Sequence, residues 1–237
     1  MRVGVTLPSF RDDAAALEAA RRAEALGLDG VFVFDHLWPL RQPERPALSC
    51  FVLLGAVAAV TGRVALGPLV ARIGLVPDDV LVAELASLAH MAPGRVIAGI
   101  GTGDSMSAPE NEAYGIEFAP PPARQASLAR CAEALRSLDI PVWVGGGGRA
   151  TLEAALAVGA AVNLWEGDLP ALSALEDRAE VTWAGPVPGD AAAIRVRLDE
   201  LAGVGATWAV CAWPESLEAV AAAADAHRAD RGPEPRR

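Results

Sequence analysis

The chain contains no lysine: all 20 of its basic residues are arginine. This excludes Schiff-base chemistry and the lysine-dependent phosphate loop of nucleotide hydrolases, since both need a primary ammonium group. Cysteine is scarce as well. Cys50, Cys131 and Cys211 lie far apart, each in an apolar run and without CxxC spacing. That pattern argues against a disulfide framework or a zinc site and for buried, reduced thiols. Positive charge is never concentrated, and the formal net charge is −10. Without a basic stripe to displace phosphate counterions, nucleic acid and anionic membranes are not expected partners. Long apolar runs are missing too, because Gly, Pro, Arg or Asp interrupts each one. The opening Met1-Arg2-Val3-Gly4-Val5 reads as a strand rather than a secretion signal, so a cytoplasmic setting is expected.

What the chain does have is apolar residues, 52% of 237. That length suits one α/β barrel, and the composition suffices for its core. Short β-branched runs alternate with Ala- and Leu-rich runs of helical length, the pattern of repeated βα units. Val3, Val5 and Leu7 form the first strand. Asp12 or Asp13 can cap a helix that runs through Leu26 and stops at Gly27. Further strands are expected at 30–34, 64–67, 95–100, 141–144, 160–164, 180–184 and 207–212. Helices are expected at about 47–60, 78–91, 122–137, 149–158, 169–176, 190–202 and onward to about Ala229. Eight units close a barrel, so residues 1–229 are read as a single (β/α)8 TIM barrel with trimmed insertions. Residues 230–237 are read as a disordered tail.

In such a barrel the site is built from loops at the carboxyl ends of the strands. Asp35 and His36 follow the second strand. His36 has the ordinary chemistry for proton transfer at neutral pH, and Asp35 can orient its ring; alternatively, Asp35 caps a turn and His36 fills a hydrogen-bonding slot. His90 sits at a helix end where a cation is favoured, and His227 is expected to be exposed. The run Gly67-Pro68-Leu69-Val70-Ala71-Arg72 after the third strand is too apolar for an open loop, unless something flat covers it. Gly99-Ile100-Gly101-Thr102-Gly103-Asp104 after the fourth lacks the third glycine and the distant acid of a dinucleotide fingerprint. Its glycines permit close approach to a planar ligand, with Thr102 and Asp104 as polar contacts, or else a tight turn capped by Asp104. Gly145, Gly146, Gly147 and Gly148 lead into a helix beginning near Arg149, a candidate anion site. Trp38 and Trp143 are candidate apolar walls, or simply core.

Together these segments resemble the luciferase-like monooxygenase superfamily, in particular its branch using the deazaflavin coenzyme F-420 (F420). The matching motifs are Val33-Phe34-Asp35-His36, Leu66-Gly67-Pro68-Leu69-Val70, the run from Ala92 to Asp104, Glu112-Ala113-Tyr114-Gly115, and Pro141 to Gly146. The resemblance covers about residues 1–165.

It implies an oxidoreductase that transfers a hydride between F420 and a small organic substrate. His36 would be the acid/base residue, Asp35 its acidic neighbour and Asp104 a second proton donor. Leu69 and Val70 would back the cofactor ring, usually through a non-proline cis peptide. Thr102 and Gly103 would lie near the ring, while Gly145, Gly146, Gly147 and Arg149 would line its side chain. Trp38 would touch substrate, and no metal is implied. An Asp-His pair favours the deazaflavin branch, whereas an FMN-dependent monooxygenase is the alternative. A homodimer is also implied. Against the family pattern, the segment 135–138 runs almost directly into the next strand, where relatives carry an insertion that roofs the site. The phosphate-contacting lysines are impossible here, with Arg72 or Arg149 as stand-ins. Those departures leave a second alternative, a non-catalytic barrel serving as a binding or assembly partner.

Overall fold

A computed structural model describes residues 1–9, 15–39, 42–45, 47–212 and 214–231. Helix caps at Asp12 or Asp13 fall outside these residues, as does the expected tail beyond Arg231. In chain order the elements are β1 (Arg2–Thr6), α1 (Ala15–Ala25), β2 (Gly30–Val33), α2 (Cys50–Val60), β3 (Ala65–Pro68), β4 (Ala71–Arg72) and α3 (Asp78–Met91). Then follow β5 (Ala98–Gly101), α4 (Ala108–Ala113), α5 (Pro121–Ser137), β6 (Val142–Gly145), α6 (Arg149–Ala157), β7 (Ala161–Trp165) and α7 (Leu169–Ser173). The last are β8 (Val181–Pro186), α8 (Ala191–Gly203), β9 (Trp208–Ala212) and α9 (Leu217–Arg231).

All strand pairs are parallel, in the order β3-β2-β1-β9-β8-β7-β6-β5-β4. The edges meet: Leu66 of β3 bridges Val96 just ahead of β5, donating to Arg95 and accepting from Ile97. The result is the expected barrel, with one strand in two pieces. The third strand breaks at Leu69–Val70, whose peptide is cis, and resumes as β4. The fourth strand starts later than expected because residues 95–97 are occupied with that bridge.

Strands buried on both faces explain the apolar sequence runs. Outside the sheet, helices α1, α2, α3, α5 and α8 press Ala, Leu and Val onto it. Inside, Phe32, Trp143 and Trp208 plug the cylinder. Phe32 and Trp143 stack at 5.1 Å, and Trp208 meets both edge-on. Trp143 is therefore core. All three cysteines are free and buried, and burial pushes the Cys131 and Cys211 thiols up to about 12. Among the described residues, no helix is long and apolar enough to cross a membrane.

Contrary to expectation, His227 is fully buried on α9 and bonded through Nδ1 to Asp199 Oδ1 at 2.6 Å. Its position near the chain end suggested exposure, but α9 packs along α8 and carries the ring inward. That helix also extends to Arg231, two residues past Ala229.

Candidate functional site

At the carboxyl ends of the strands lies a cleft of about 670 Å³. It collects most of the residues expected from sequence: Asp35, His36, Leu69, Val70, Thr102, Gly103, Asp104, Gly145, Gly146 and Gly147. Two expected residues lie elsewhere. Trp38 packs on Tyr114, ring centroids 5.8 Å apart, and is not among the residues that line the cleft. The Arg149 side chain is 92% exposed and bonded to Glu153 one turn along α6, so it adds no charge to the cleft wall.

The back wall is the bulge between β3 and β4. Its side chains explain the glycines of β5 and β6 more directly than a ligand does. A Cβ at Gly101 would lie 2.5 Å from Val70 Cγ2, and one at Gly145 would lie 2.8 Å from Val70 Cγ1. The chain's own Val70 fills the space these glycines vacate, and so the bulge is locked between two neighbouring strands. Gly146, Gly147 and Gly148, by contrast, remain open along the cleft and lead into the N-terminus of α6. The far wall comes from the second half of the barrel, where Asn163, Trp165 and Glu166 line the cleft and Trp165 meets Phe34 edge-on at 5.7 Å. Asn163 is fixed by donating to Thr182 Oγ1 at 2.9 Å.

The floor holds a cluster that the sequence reading missed. Glu110, on α4, has no solvent exposure. One carboxylate oxygen meets His36 Nδ1 at 2.7 Å. The other accepts from Arg72 Nη2 at 2.9 Å and from the Leu37 amide at 3.0 Å. Burial alone would raise the Glu110 pKa, yet the hydrogen bonds from His36 and Leu37 and the charges of His36 and Arg72 hold it below the usual range. In a barrel, the polar residues of the site are expected directly after a strand. Glu110 instead sits on a short helix inside what reads as a long loop, with Pro109 in its first turn. Only the neighbouring Glu112–Gly115 motif marked the segment.

Asp35 does not hold the His36 ring. Its Oδ2 accepts from the Arg72 backbone amide at 3.0 Å, pinning β4 just past the bulge. Burial pushes the Asp35 pKa up and Glu110 adds to that, against the opposing Arg72 amide bond and the charges of Arg72 and His36. Asp104 lines the cleft, but its Oδ1 accepts from the Met106 amide at 2.9 Å and from the Ser107 amide and hydroxyl. This is the turn that launches α4 and so carries Glu110 to His36. Arg72 Nε, buried beside the cleft, has no hydrogen-bond partner among the described residues. Among the described residues, no cluster of side chains could hold a metal ion.

Chemically, the cleft offers a held imidazole, an apolar face opposite open backbone and a buried guanidinium. The chain is 40% identical over 118 residues to the F420-dependent glucose-6-phosphate dehydrogenase of Kineococcus radiotolerans, a match covering 49% of this chain and 33% of the relative. It is 45% identical over 86 residues to that of Beutenbergia cavernae, covering 36% and 26%. The matches thus span about a third or less of these curated relatives. Among solved structures, an F420-dependent secondary alcohol dehydrogenase with a bound F420–acetone adduct superposes with a TM-score of 0.82 at 16% identity, covering 96% of this chain and 99% of that one. The F420-dependent tetrahydromethanopterin reductase of Methanopyrus kandleri gives 0.73 at 13%, covering 97% and 99%. At such identities the structures speak for the fold. The luciferase-like monooxygenase model matches residues 1–139, the half of the chain that supplies His36, the bulge and the Glu110 helix, and the chain belongs to that family.

Proposed function

We propose that this protein is an F420-dependent oxidoreductase that transfers a hydride between the deazaflavin and a small organic substrate. The observation that carries this reading is the placement of His36 and the Leu69–Val70 bulge in one cleft, an imidazole beside a wall able to back a flat ring. Curated relatives bearing F420-dependent names support it over the FMN alternative.

The residues present fit such a group. The bulge and Phe34 give apolar surface, Gly146 to Gly148 give open backbone that a Cβ would narrow, and Arg72 Nε is a buried donor without a partner among the described residues. Leu69, Val70, Thr102 and Gly103 would hold the ring. Gly145, Gly146, Gly147 and the α6 N-terminus would hold the side chain, where exposed amides favour an anion. F420, when bound, supplies a ring that accepts or releases two electrons as a hydride. The protein's part is to orient substrate against it and, at His36, to take or give the accompanying proton.

Absorbance titration with F420 and, separately, with FMN tests the reading. Saturable micromolar binding of F420 and none of FMN is expected. The reverse would favour a monooxygenase, and binding of neither would favour a non-catalytic barrel.

The reading extends to assembly. Helix α2 is apolar on nearly every face, and a helix of that kind is normally covered. Val52 on this helix is nevertheless 75% exposed, and Met91 of α3, 59% exposed, lines a groove between the two helices with Val80, Phe51 and Gly55. A second copy of the chain on this face would bury them, and light scattering at the mass of a dimer is the expected result. The free, buried cysteines favour a cytoplasmic setting.

A further inference from the structure

We infer that Glu110, held by Arg72, is the positioning residue that makes His36 Nε2 the proton-exchanging atom of the site. The inference rests on the proposed acid/base role of His36, and the geometry leads to it in three steps.

First, the carboxylate of Glu110 can only accept, since its three partners are all donors or potential donors. Leu37 N–H and Arg72 Nη2–H occupy Oε2, and His36 Nδ1 meets Oε1. Nδ1 must therefore carry the proton, which in the neutral ring leaves the lone pair on Nε2. Second, the buried guanidinium keeps the carboxylate charged where solvent does not reach. Both side chains are at most 4% exposed and 2.9 Å apart. Third, the groups around His36 divide the work. Asp35 is committed to the Arg72 amide, and Asp104 is committed through Oδ1 to the turn before α4. Glu166 lies across the cleft beside Trp165. Among these, Glu110 is the carboxylate bonded to the ring.

A sharp consequence follows for Glu110→Gln. The position of Oε2 receives two donors, so the amide must place its carbonyl there and turn its NH2 toward His36. Nδ1 then has to accept, and the ring proton moves to Nε2. In the serine hydrolase triad, the same carboxylate-to-amide change lowers turnover about 10⁴-fold through the wrong tautomer.

The test uses the full chain labelled with ¹⁵N-histidine, without cofactor, in a long-range ¹H–¹⁵N spectrum at a pH where the rings are neutral. His36 is assigned from the signal lost in His36→Ala, and His227 serves as an internal reference. The wild-type protein is expected to show His36 protonated on Nδ1, and Glu110→Gln to show it protonated on Nε2, with the His90 and His227 signals unmoved. In turnover, Glu110→Gln should lower kcat by about 10²–10⁴-fold and leave KM within a few-fold. A wild-type ring protonated on Nε2 overturns the inference, and this part needs no variant to fold. A Glu110→Gln spectrum that keeps the wild-type tautomer overturns it equally. Failure of F420 to bind would sink the proposed activity while leaving the tautomer result standing, so the two failures are separable.

Discussion

Among the described residues stand two histidine–carboxylate pairs of nearly the same length. His36 meets Glu110 at 2.7 Å, and His227 meets Asp199 at 2.6 Å, each through Nδ1. Their burial is reversed. In the first pair the carboxylate has no exposure and the ring is 24% exposed; in the second the ring has none and the carboxylate is 43% exposed. A buried acid behind a partly open ring delivers a fixed imidazole to a cleft. A buried ring behind an open acid ties two helices together and can deliver nothing. Indeed His227 Nε2 is buried without a partner among the described residues, which suits a strut and not a shuttle. The hydrogen bond is thus no guide to function; the identity of the buried member is.

The largest expected effect separates the two rings directly. His36→Ala should lower turnover with F420 by about 10²–10⁴-fold, the usual contribution of a general acid or base. Far-UV circular dichroism should not change. His227→Ala should leave turnover intact and lower the melting temperature instead, at a stability loss of about 1–3 kcal/mol. Turnover unaffected by His36→Ala would remove that ring from the mechanism.

Next comes the counter-ion, which only the first pair has in buried form. Arg72→Met strands the Glu110 carboxylate without its cation. Breaking a buried pair in this way costs about 3–5 kcal/mol. Urea unfolding should register the loss, and Arg72→Met combined with Glu110→Gln should recover much of it, because the double change removes both charges. A single variant as stable as wild type would mean that the guanidinium contributes no compensation.

The pH dependence of stability sharpens the contrast within the cleft. Glu110 is held below its ordinary range, so its stabilisation is complete above the unfolded-state value of about 4.3 and disappears as pH falls through the lower folded value. Asp35 is pushed up by burial, so its effect has the opposite sign: the folded state is favoured while it stays protonated and loses that advantage as pH rises through the raised value. Melting curves from acid to neutral pH should therefore flatten on the acid limb in Glu110→Gln. In Asp35→Asn, which keeps an acceptor for the Arg72 amide, stability should decline less as pH rises above 4. Unaltered limbs in both variants would rule out these carboxylates as the source of the slope.

How much of this was legible beforehand divides along physical lines. The barrel was readable because apolar strands alternate along the chain with helices that turn apolar residues toward the sheet, so local pattern and global fold agree. Helix α3 falls at Asp78–Met91, where the sequence places it. His36 and the bulge were readable because strand ends locate a barrel's site. Three features were not. Glu110 depends on a turn at Asp104 and a short helix that brings distant chain to β2 and β4, a tertiary event with no periodic signature. Gly101 and Gly145 looked like space for a ligand, yet the space a side chain would take there belongs to Val70, at the bulge before β4, one strand away from Gly101 and two from Gly145. His227 near the end of the described chain looked exposed because the packing of α9 onto α8 cannot be read from position alone.

The smallest expected effect completes the comparison by repeating the Glu110→Gln chemistry in the other pair. Asp199→Asn also swaps an acceptor-only group for one that can donate. Here the carboxylate is nearly half exposed, and its ion pair with Arg195 at 3.5 Å is a solvent-accessible one. The amide can turn its carbonyl toward His227 Nδ1, and water can satisfy its NH2. The ring therefore keeps its proton on Nδ1, and what is lost is a screened surface attraction worth less than about 1 kcal/mol. Chemical denaturation should detect at most that much, and the ¹⁵N spectrum should show an unmoved His227. An inverted His227 tautomer in Asp199→Asn would show that exposure of the acid does not protect the ring, and the burial criterion that distinguishes the two pairs would fail with it.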